Sequence, residues 1–141
     1  MEKKKILLID DDAGFRDELA ELLRLSGYEP ACACDALEAF SMALGINPDV
    51  ILLDLKMPGS NGFQLADKFS QNGFLKNIPL IVMTGYFGDS GHNLLMDSCG
   101  MKYFLKKPFD SFDLITKIET ALADTSKGDI IIRRNTTENK Y

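Results

Sequence analysis

Three adjacent aspartates end an apolar run near the N-terminus. The segment KKKILLIDDDAG places Asp10, Asp11 and Asp12 directly after the apolar residues 6–9. Carboxylates at this spacing repel one another, and the repulsion is relieved when a cation lies among them. Oxygen ligands of this kind select a hard ion, and Mg²⁺ is the usual one when water and phosphate complete its shell. The pattern therefore predicts a cation site after the first apolar run.

Other side chains suited to phosphate chemistry also follow apolar runs. Asp54 follows the run at 50–53, Thr84 follows the run at 80–83, and Lys106 and Lys107 follow the run at 103–105. An aspartate beside a bound Mg²⁺ can act as a nucleophile that accepts a phosphoryl group. A lysine and a hydroxyl are suited to neutralising the phosphoryl oxygens during such a transfer.

Strand-like and helix-like patterns alternate along residues 3–124. Strands are predicted at 6–9, 29–33, 50–53, 80–83 and 103–105, with helical spacing of apolar residues at 15–23, 36–44, 63–69, 90–98 and 112–122. This alternation predicts one doubly wound α/β domain, a parallel sheet with helices on both faces. Ligands bind outside the carboxyl ends of the strands in such sheets, so the aspartates, the threonine and the lysines should converge there.

The composition narrows the functional class. The chain has 141 residues, 45% of them apolar, and a formal net charge of −5, which argues against a direct nucleic-acid surface. No apolar run approaches the roughly 18 residues of a membrane span, so we expect a cytoplasmic protein without a membrane partner. Cys32 and Cys34 are interpreted as small buried side chains of the second strand, because no further ligands complete a metal site around them.

The sequence resembles the response-regulator receiver domains, also called CheY-like, over residues 4–123. The resemblance rests on the acidic pair Asp10-Asp11, on Asp54 with MPG and Gly62 behind it, on Thr84, and on Lys-Pro-Phe after the fifth strand. It implies a flavodoxin-like sheet with strand order 2-1-3-4-5.

The resemblance also implies roles for single residues. Asp54 would be the phosphoacceptor, and Thr84 and Lys107 would contact the phosphoryl group. Asp10 and Asp11 would belong to a Mg²⁺ site, with Asp11 as a direct ligand, and the backbone carbonyl of Lys56 would complete the protein ligands. Phe104 would be the switch aromatic. Lys107 is preferred to Lys106 because the lysine of the family immediately precedes the proline. The family commonly has this Lys–Pro bond in cis.

The function implied is a phosphorylation-controlled switch in a two-component phosphorelay. The donor would be the phosphohistidine of a sensor histidine kinase or of a phosphotransfer protein. The output would be altered binding of a downstream protein to the face of the fourth helix, fifth strand and fifth helix. The domain would catalyse its own phosphorylation and dephosphorylation without being an enzyme on outside substrates.

The same residues allow two alternative functions. The first is a Mg²⁺-dependent phosphohydrolase that acts on external substrates through an aspartyl phosphate. Such enzymes usually carry an acid two places after the nucleophile, where this chain has Lys56, and a cap for which no insertion is visible. The second, a flavin-binding domain, is disfavoured because three aspartates would repel the flavin phosphate.

Each site residue also has a purely structural interpretation. Asp12 is expected to cap the first helix. Asp54 alone could end a strand before a turn, Thr84 could be an ordinary strand residue, and Lys107 could be a solvated charge. Their predicted convergence favours the functional interpretation of the set.

Residues 125–141 are interpreted as a tail or linker outside the receiver domain. Residues 125–129 resemble a flexible joint, and the β-branched run at 129–133 predicts a short strand. We expect the isoleucines at 130–132 to dock on a sheet edge or, preferably, against a second copy of the chain, giving a homodimer. The alternative is a linker within a longer regulator.

Overall fold

The computed structural model describes residues 2–57, 60–85 and 101–138, with side chains described for 2–56, 62–85 and 101–125. The elements in chain order are β1 (Lys5–Ile9), α1 (Ala13–Leu25), β2 (Glu29–Ala33), α2 (Ala36–Ile46), β3 (Val50–Asp54), β4 (Lys56–Met57), β5 (Ser60–Asn61), α3 (Gly62–Gln71), β6 (Leu80–Thr84), β7 (Tyr103–Lys106) and α4 (Ser111–Glu138). The helix predicted at 90–98 lies outside the described residues.

Five parallel strands form the sheet, in the order β2-β1-β3-β6-β7. Because β6 and β7 are the fourth and fifth predicted strands, this is the predicted order 2-1-3-4-5. The short strands β4 and β5 pair separately as an antiparallel hairpin that the sequence did not predict. The order makes β1 and β3 neighbours, with Ile9 paired to Leu53 in register. The residues that follow these two partners, Asp10 and Asp54, are therefore brought side by side.

Alternate strand residues build a separate apolar core on each face of the sheet. Leu7, Leu53 and Val82 point to the face covered by α2 and α3. Leu8, Leu52 and Met83 point to the other face, where α1 and α4 pack. Burial on both faces explains why the central strands are continuous apolar runs. Such strands are rigid supports for polar groups at their ends.

The helix boundaries follow from capping. The side chain of Asp12 accepts a hydrogen bond of 3.1 Å from the backbone N–H of Phe15, which confirms Asp12 as the N-cap of α1. Asp35 caps α2 in the same way, with a bond of 2.8 Å from Glu38. Gly27 follows α1 with φ +92°, a left-handed conformation that glycine adopts without strain.

The C-terminal segment does not form the predicted joint and strand. Helix α4 runs for 28 residues, from Ser111 to Glu138, so both predictions were wrong. The buried residues Leu114, Ile118 and Ala121 anchor the first half of this helix on the sheet. Once a helix is nucleated, each further residue adds a hydrogen bond. The small helix penalty of isoleucine does not stop that propagation.

The cysteine interpretation was also wrong in part. Cys32 is half-buried against the α1 and α4 core, but Cys34 lies beyond the last residue of β2 and is exposed. Its thiol donates to Glu38 Oε2 at 3.0 Å. The strand ends at Ala33, as predicted, and Asp35 already caps the next helix, so Cys34 lies in the connection between them.

The described helices include none that combines the length and the apolar character needed to cross a membrane.

Candidate functional site

Four predicted site residues lie at the carboxyl edge of the sheet. Asp10 follows β1, Asp54 ends β3, Thr84 ends β6, and Lys107 follows β7. All four strands are parallel, so their carboxyl ends meet at the same edge. The first three of these residues are buried, with Asp10 fully inaccessible to solvent.

Asp10 accepts hydrogen bonds at both carboxylate oxygens and at its backbone carbonyl. Its Oδ1 accepts from the backbone N–H of Asp12 at 3.0 Å, and its Oδ2 accepts from Lys107 Nζ at 2.9 Å. The guanidinium of Arg16 donates to its backbone carbonyl at 2.6 Å. A buried carboxylate is costly unless it is paired and hydrogen-bonded, and these contacts meet that requirement. Both carboxylate oxygens of Asp10 are therefore already engaged.

Asp54 has a weaker set of partners. The backbone N–H of Lys56 donates to its Oδ1 at 3.1 Å, and Lys107 Nζ lies 3.4 Å from its Oδ2. Burial raises the pKa of Asp54 above its ordinary value. The Lys56 hydrogen bond lowers it, the nearby charge of Asp10 raises it, and Lys107 lowers it in turn, with a net upward shift. The carboxylate therefore carries its charge at a cost, which a further cation would reduce.

The three acidic residues form a candidate metal centre. Carboxylate oxygens from Asp10, Asp11 and Asp54 all lie within 4.8 Å of one another. Asp11 is exposed while the other two are buried, so the cluster opens to solvent on one side. Hard oxygen donors with an open side suit Mg²⁺, which keeps several waters in its shell. The residues present therefore fit the ion that the family resemblance implies.

Lys107 connects β7 to the rest of the site. Its backbone N–H donates to the carbonyl of Thr84 at 2.9 Å, and the Lys107–Pro108 peptide bond is cis, as expected from the resemblance. Its ammonium lies 4.1 Å from the centre of the Phe15 ring. From the sequence, Phe15 was predicted only as an apolar residue of the first helix. Nothing in the local pattern indicates its contact with Lys107, which lies 92 residues further along the chain.

The remaining predicted residues lie near this centre or behind it. Lys56 lies two residues after Asp54, at the start of the hairpin strand β4, and its side chain is exposed. Phe104 is half-buried against the α2 and α3 core, on β7. Lys106 is exposed at the end of β7, whereas Lys107 turns inward to the carboxylates. The preference for Lys107 over Lys106 thus agrees with the geometry.

Gly62 allows the hairpin to pack against the end of β3. A Cβ atom at this position would lie 2.6 Å from Leu55 Cα and 3.1 Å from the Asp54 carbonyl oxygen. The first distance is shorter than real Cβ contacts and the second is tighter than most of them, so only glycine fits here without displacing the backbone. The glycine noted in the sequence behind Asp54 therefore sets the position of that aspartate.

The comparison with protein families identifies the class. The response regulator receiver domain family matches residues 6–119. The chain therefore belongs to the response-regulator receiver family and is a receiver domain of the two-component type.

Sequence relatives are transcriptional regulators of greater length. The chain is 31% identical over 126 residues to the phosphate regulon transcriptional regulatory protein PhoB of Pseudomonas aeruginosa, covering 89% of this chain and 55% of the relative. It is 34% identical over 121 residues to the transcriptional regulatory protein PdtaR of Mycobacterium tuberculosis, covering 85% and 57%. The chain thus spans about half the length of the curated relatives it matches.

Solved structures support the same fold. The Vibrio cholerae chemotaxis protein CheY4 superposes with a TM-score of 0.81 at 26% identity, over 86% of this chain and 100% of that one. A CheY-like receiver domain protein from Methanospirillum hungatei gives a TM-score of 0.83 at 27% identity, over 90% and 99%.

Proposed function

We propose that Asp54 accepts a phosphoryl group from the phosphohistidine of a sensor histidine kinase or phosphotransfer protein, in a Mg²⁺-dependent reaction. The observation that carries this proposal is the position of Lys107 Nζ, 2.9 Å from Asp10 and 3.4 Å from Asp54. One ammonium thus lies between two buried carboxylates, at the edge where the sheet is open to a ligand.

The hydrogen bonds at the carboxylate oxygens favour Asp54 over Asp10 as the phosphoryl acceptor. Asp10 is fully buried, and both of its carboxylate oxygens accept short hydrogen bonds. Oδ2 of Asp54 has a longer contact with Lys107, and its side chain retains some exposure. A nucleophilic oxygen needs a free lone pair directed at the incoming phosphorus, and Asp54 offers the better one.

The transfer forms a bond between a carboxylate oxygen of Asp54 and phosphorus as the N–P bond of the phosphohistidine breaks. The imidazole nitrogen leaves with the bonding electron pair. A bound Mg²⁺ held by Asp10, Asp11, Asp54 and the Lys56 carbonyl would supply positive charge to the phosphoryl oxygens. Lys107 supplies a second positive charge from the end of β7, and Thr84 supplies a hydroxyl from the end of β6, which lies between β3 and β7.

The competing phosphohydrolase function lacks a supporting observation. The residue two places after Asp54 is Lys56, an exposed lysine, where such enzymes usually carry an acidic residue as general acid. Within residues 2–57 and 60–85, the connections between elements are short, and no inserted cap covers the site. We infer that phosphorylation here serves signalling instead of turnover of outside substrates.

The output of the switch is proposed to be a change in protein binding at the face formed by β7, α4 and the predicted helix at 90–98. Phe104 lies half-buried on β7, where a ring can change position when Thr84 engages a phosphoryl group. The net charge of −5 makes this domain a poor direct ligand for nucleic acid, so a downstream protein is the proposed target. A cytoplasmic location is part of the same proposal.

A second copy of the chain is the proposed partner of the C-terminal half of α4. Residues 111–125 of the helix are about 22 Å long, whereas a five-residue strand of the sheet is roughly 17 Å long. The rest of the helix is therefore expected to extend past the end of the sheet. The following 13 residues contain Gly128 and three consecutive isoleucines, a composition with low helix propensity. The packed first half of α4 nucleates this extension, but residues of low helix propensity stabilise it weakly, and packing against an identical helix related by two-fold symmetry would add stability.

Phosphorylation by a small acyl phosphate tests the function without a kinase. Wild-type protein incubated with acetyl phosphate and Mg²⁺ should gain the mass of one phosphoryl group in intact-mass spectrometry. Asp54→Asn should not gain it, while Asp67→Asn, which changes an exposed carboxylate on α3, should be labelled like wild type. Equal labelling of wild type and Asp54→Asn would overturn the assignment of the acceptor.

A further inference from the structure

The ammonium of Lys107 is in contact with an aromatic ring as well as with two carboxylates. Its Nζ lies 4.1 Å from the centre of the Phe15 ring, well within the range of a cation–π interaction. We propose that Phe15 is a positioning residue for phosphoryl transfer, acting through Lys107. This inference rests on the function proposed above.

The ring is a third neighbour of the ammonium, beside the two carboxylates. Asp10 Oδ2 lies at 2.9 Å and Asp54 Oδ2 at 3.4 Å. The Lys107 side chain is only 27% exposed, so little water reaches it. Cation–π attraction strengthens as the cation loses water. The ring is therefore a substantial third contact for the Lys107 ammonium.

Phe15 is itself held in a fixed position. Its backbone N–H donates to the capping side chain of Asp12 at 3.1 Å, which places it in the first turn of α1. Its ring meets the Phe109 ring edge-to-face, with centroids 6.0 Å apart and an interplanar angle of 83°. Phe109 lies two residues after Lys107, so this ring contact ties α1 to the segment that carries the lysine. Restraint from α1 and from this segment keeps the ring against the ammonium.

The ring differs from the two carboxylates in one property that matters for the transfer. Asp10 and Asp54 are also the candidate metal ligands, and Asp54 is the proposed nucleophile, so both are engaged by other groups during the reaction. Phe15 carries no charge and no lone pair, and nothing in the reaction competes for its face. When the metal and the phosphoryl group engage the carboxylates, the ring still orients the Lys107 ammonium towards the phosphoryl oxygens, where its charge stabilises the transition state.

Substituting the ring tests this role. Phe15→Leu keeps an apolar side chain and removes the π face, whereas Phe15→Tyr keeps the face. With acetyl phosphate as donor, Phe15→Leu should be phosphorylated about three- to tenfold more slowly than wild type, the rate equivalent of a partly desolvated cation–π contact. Phe15→Tyr should stay within about twofold of wild type by the same reasoning. Phe74→Leu is the matched control, because Phe74 is exposed before the amino end of β6, at the opposite edge of the sheet.

A second measurement detects the contact without any reaction. The Cε methylene protons of Lys107 should show an upfield ring-current shift in the NMR spectrum of the wild-type protein, and that shift should disappear in Phe15→Leu and persist in Phe15→Tyr. Thermal melts of the same variants would measure any loss of packing separately, and absence of the shift in the wild-type protein would overturn the contact.

The outcomes separate the two proposals. Absence of labelling in the wild-type protein would overturn the proposed function, and the role of Phe15 with it. Normal labelling of the wild-type protein with equal rates for Phe15→Leu would overturn the role of Phe15 alone. A Phe15→Tyr variant as slow as Phe15→Leu would also overturn it, because the effect would then come from packing.

Discussion

Asp10 and Lys107 are 97 residues apart in the sequence, and their side chains meet at 2.9 Å. Their strands are not neighbours, because β3 and β6 lie between β1 and β7 in the sheet. Lys107 therefore extends from the edge strand across two strand ends to reach the buried carboxylate. The contact offsets part of the charge at the acidic centre and links the last strand to the first. It depends on the whole sheet being assembled in its parallel order.

Asp11→Asn should weaken Mg²⁺ binding without destabilising the metal-free protein. The substitution removes one of three clustered charges, and the metal-free protein should be equally stable or more stable by up to about 1 kcal/mol. Thermal melts with and without Mg²⁺ measure both effects. Asp12→Asn is the control, since asparagine also caps a helix, and this variant should keep the Mg²⁺-induced rise in melting temperature. A lower melting temperature of metal-free Asp11→Asn would contradict the repulsion argument.

Asp54→Asn should be more stable than wild type at neutral pH when Mg²⁺ is chelated. The folded protein raises the pKa of Asp54 above its ordinary value of 3.8, so the folded state binds the proton more tightly than the unfolded chain. The stability that this group contributes is fully present below 3.8 and is lost as pH rises through its folded pKa. The advantage of Asp54→Asn should therefore shrink as pH falls through that window. Urea unfolding of both proteins at several pH values would measure this difference in stability. A difference that is independent of pH would contradict the cost of burying the charged Asp54 carboxylate.

Gly62→Ala should destabilise the fold by about 1–3 kcal/mol, because its Cβ would be forced against the backbone behind Asp54. It should also slow labelling of Asp54 by shifting that strand end. Gly45→Ala is the matched control, since a Cβ at this position in α2 would meet nothing within 4 Å. The control should gain about 0.5–1 kcal/mol through helix propensity. Chemical denaturation of the two variants should thus move in opposite directions, and similar effects would argue against the close approach at Gly62.

Removal of residues 126–141 should convert a dimer into a monomer. Sedimentation equilibrium of the full chain should give twice the mass of one chain, and the truncated chain should give the monomer mass. A full-length variant with alanine at Ile130, Ile131 and Ile132 keeps the helix and removes the apolar side chains, so it should also be monomeric. If the full chain and both variants are monomers with one melting temperature, the second half of α4 holds no second copy and the linker interpretation is favoured.

The sequence predicted the sheet and the location of the site well because both depend on local patterns with a strong physical meaning. Runs of three to five residues identified all five strands of the sheet to within one residue at each end. Four of these runs were followed by a polar residue of the right type, and parallel topology alone places strand ends together. Asp12 was identified as a cap from its position before a helical pattern, and the structure confirms it.

What the sequence did not show depends on contacts between distant segments. The β-branched run at 130–132 predicted a strand, yet the preceding helix continues through it. Cys34 was assigned to β2 by alternation, but the cap at Asp35 ends the extended conformation first. Phe15 looked like an ordinary core residue of α1. Its contact with Lys107 becomes visible only when the first helix and the last strand are both in place.

The central claim is that the phosphoryl group is attached to Asp54 and to no other aspartate of the cluster. Peptide mass mapping after labelling with acetyl phosphate and Mg²⁺, with the acyl phosphate trapped by reduction before digestion, measures this directly. We expect the modification on the peptide that contains Asp54, and no modification of Asp10 or Asp11. A modified Asp10 or Asp11 together with an unmodified Asp54 would contradict the account.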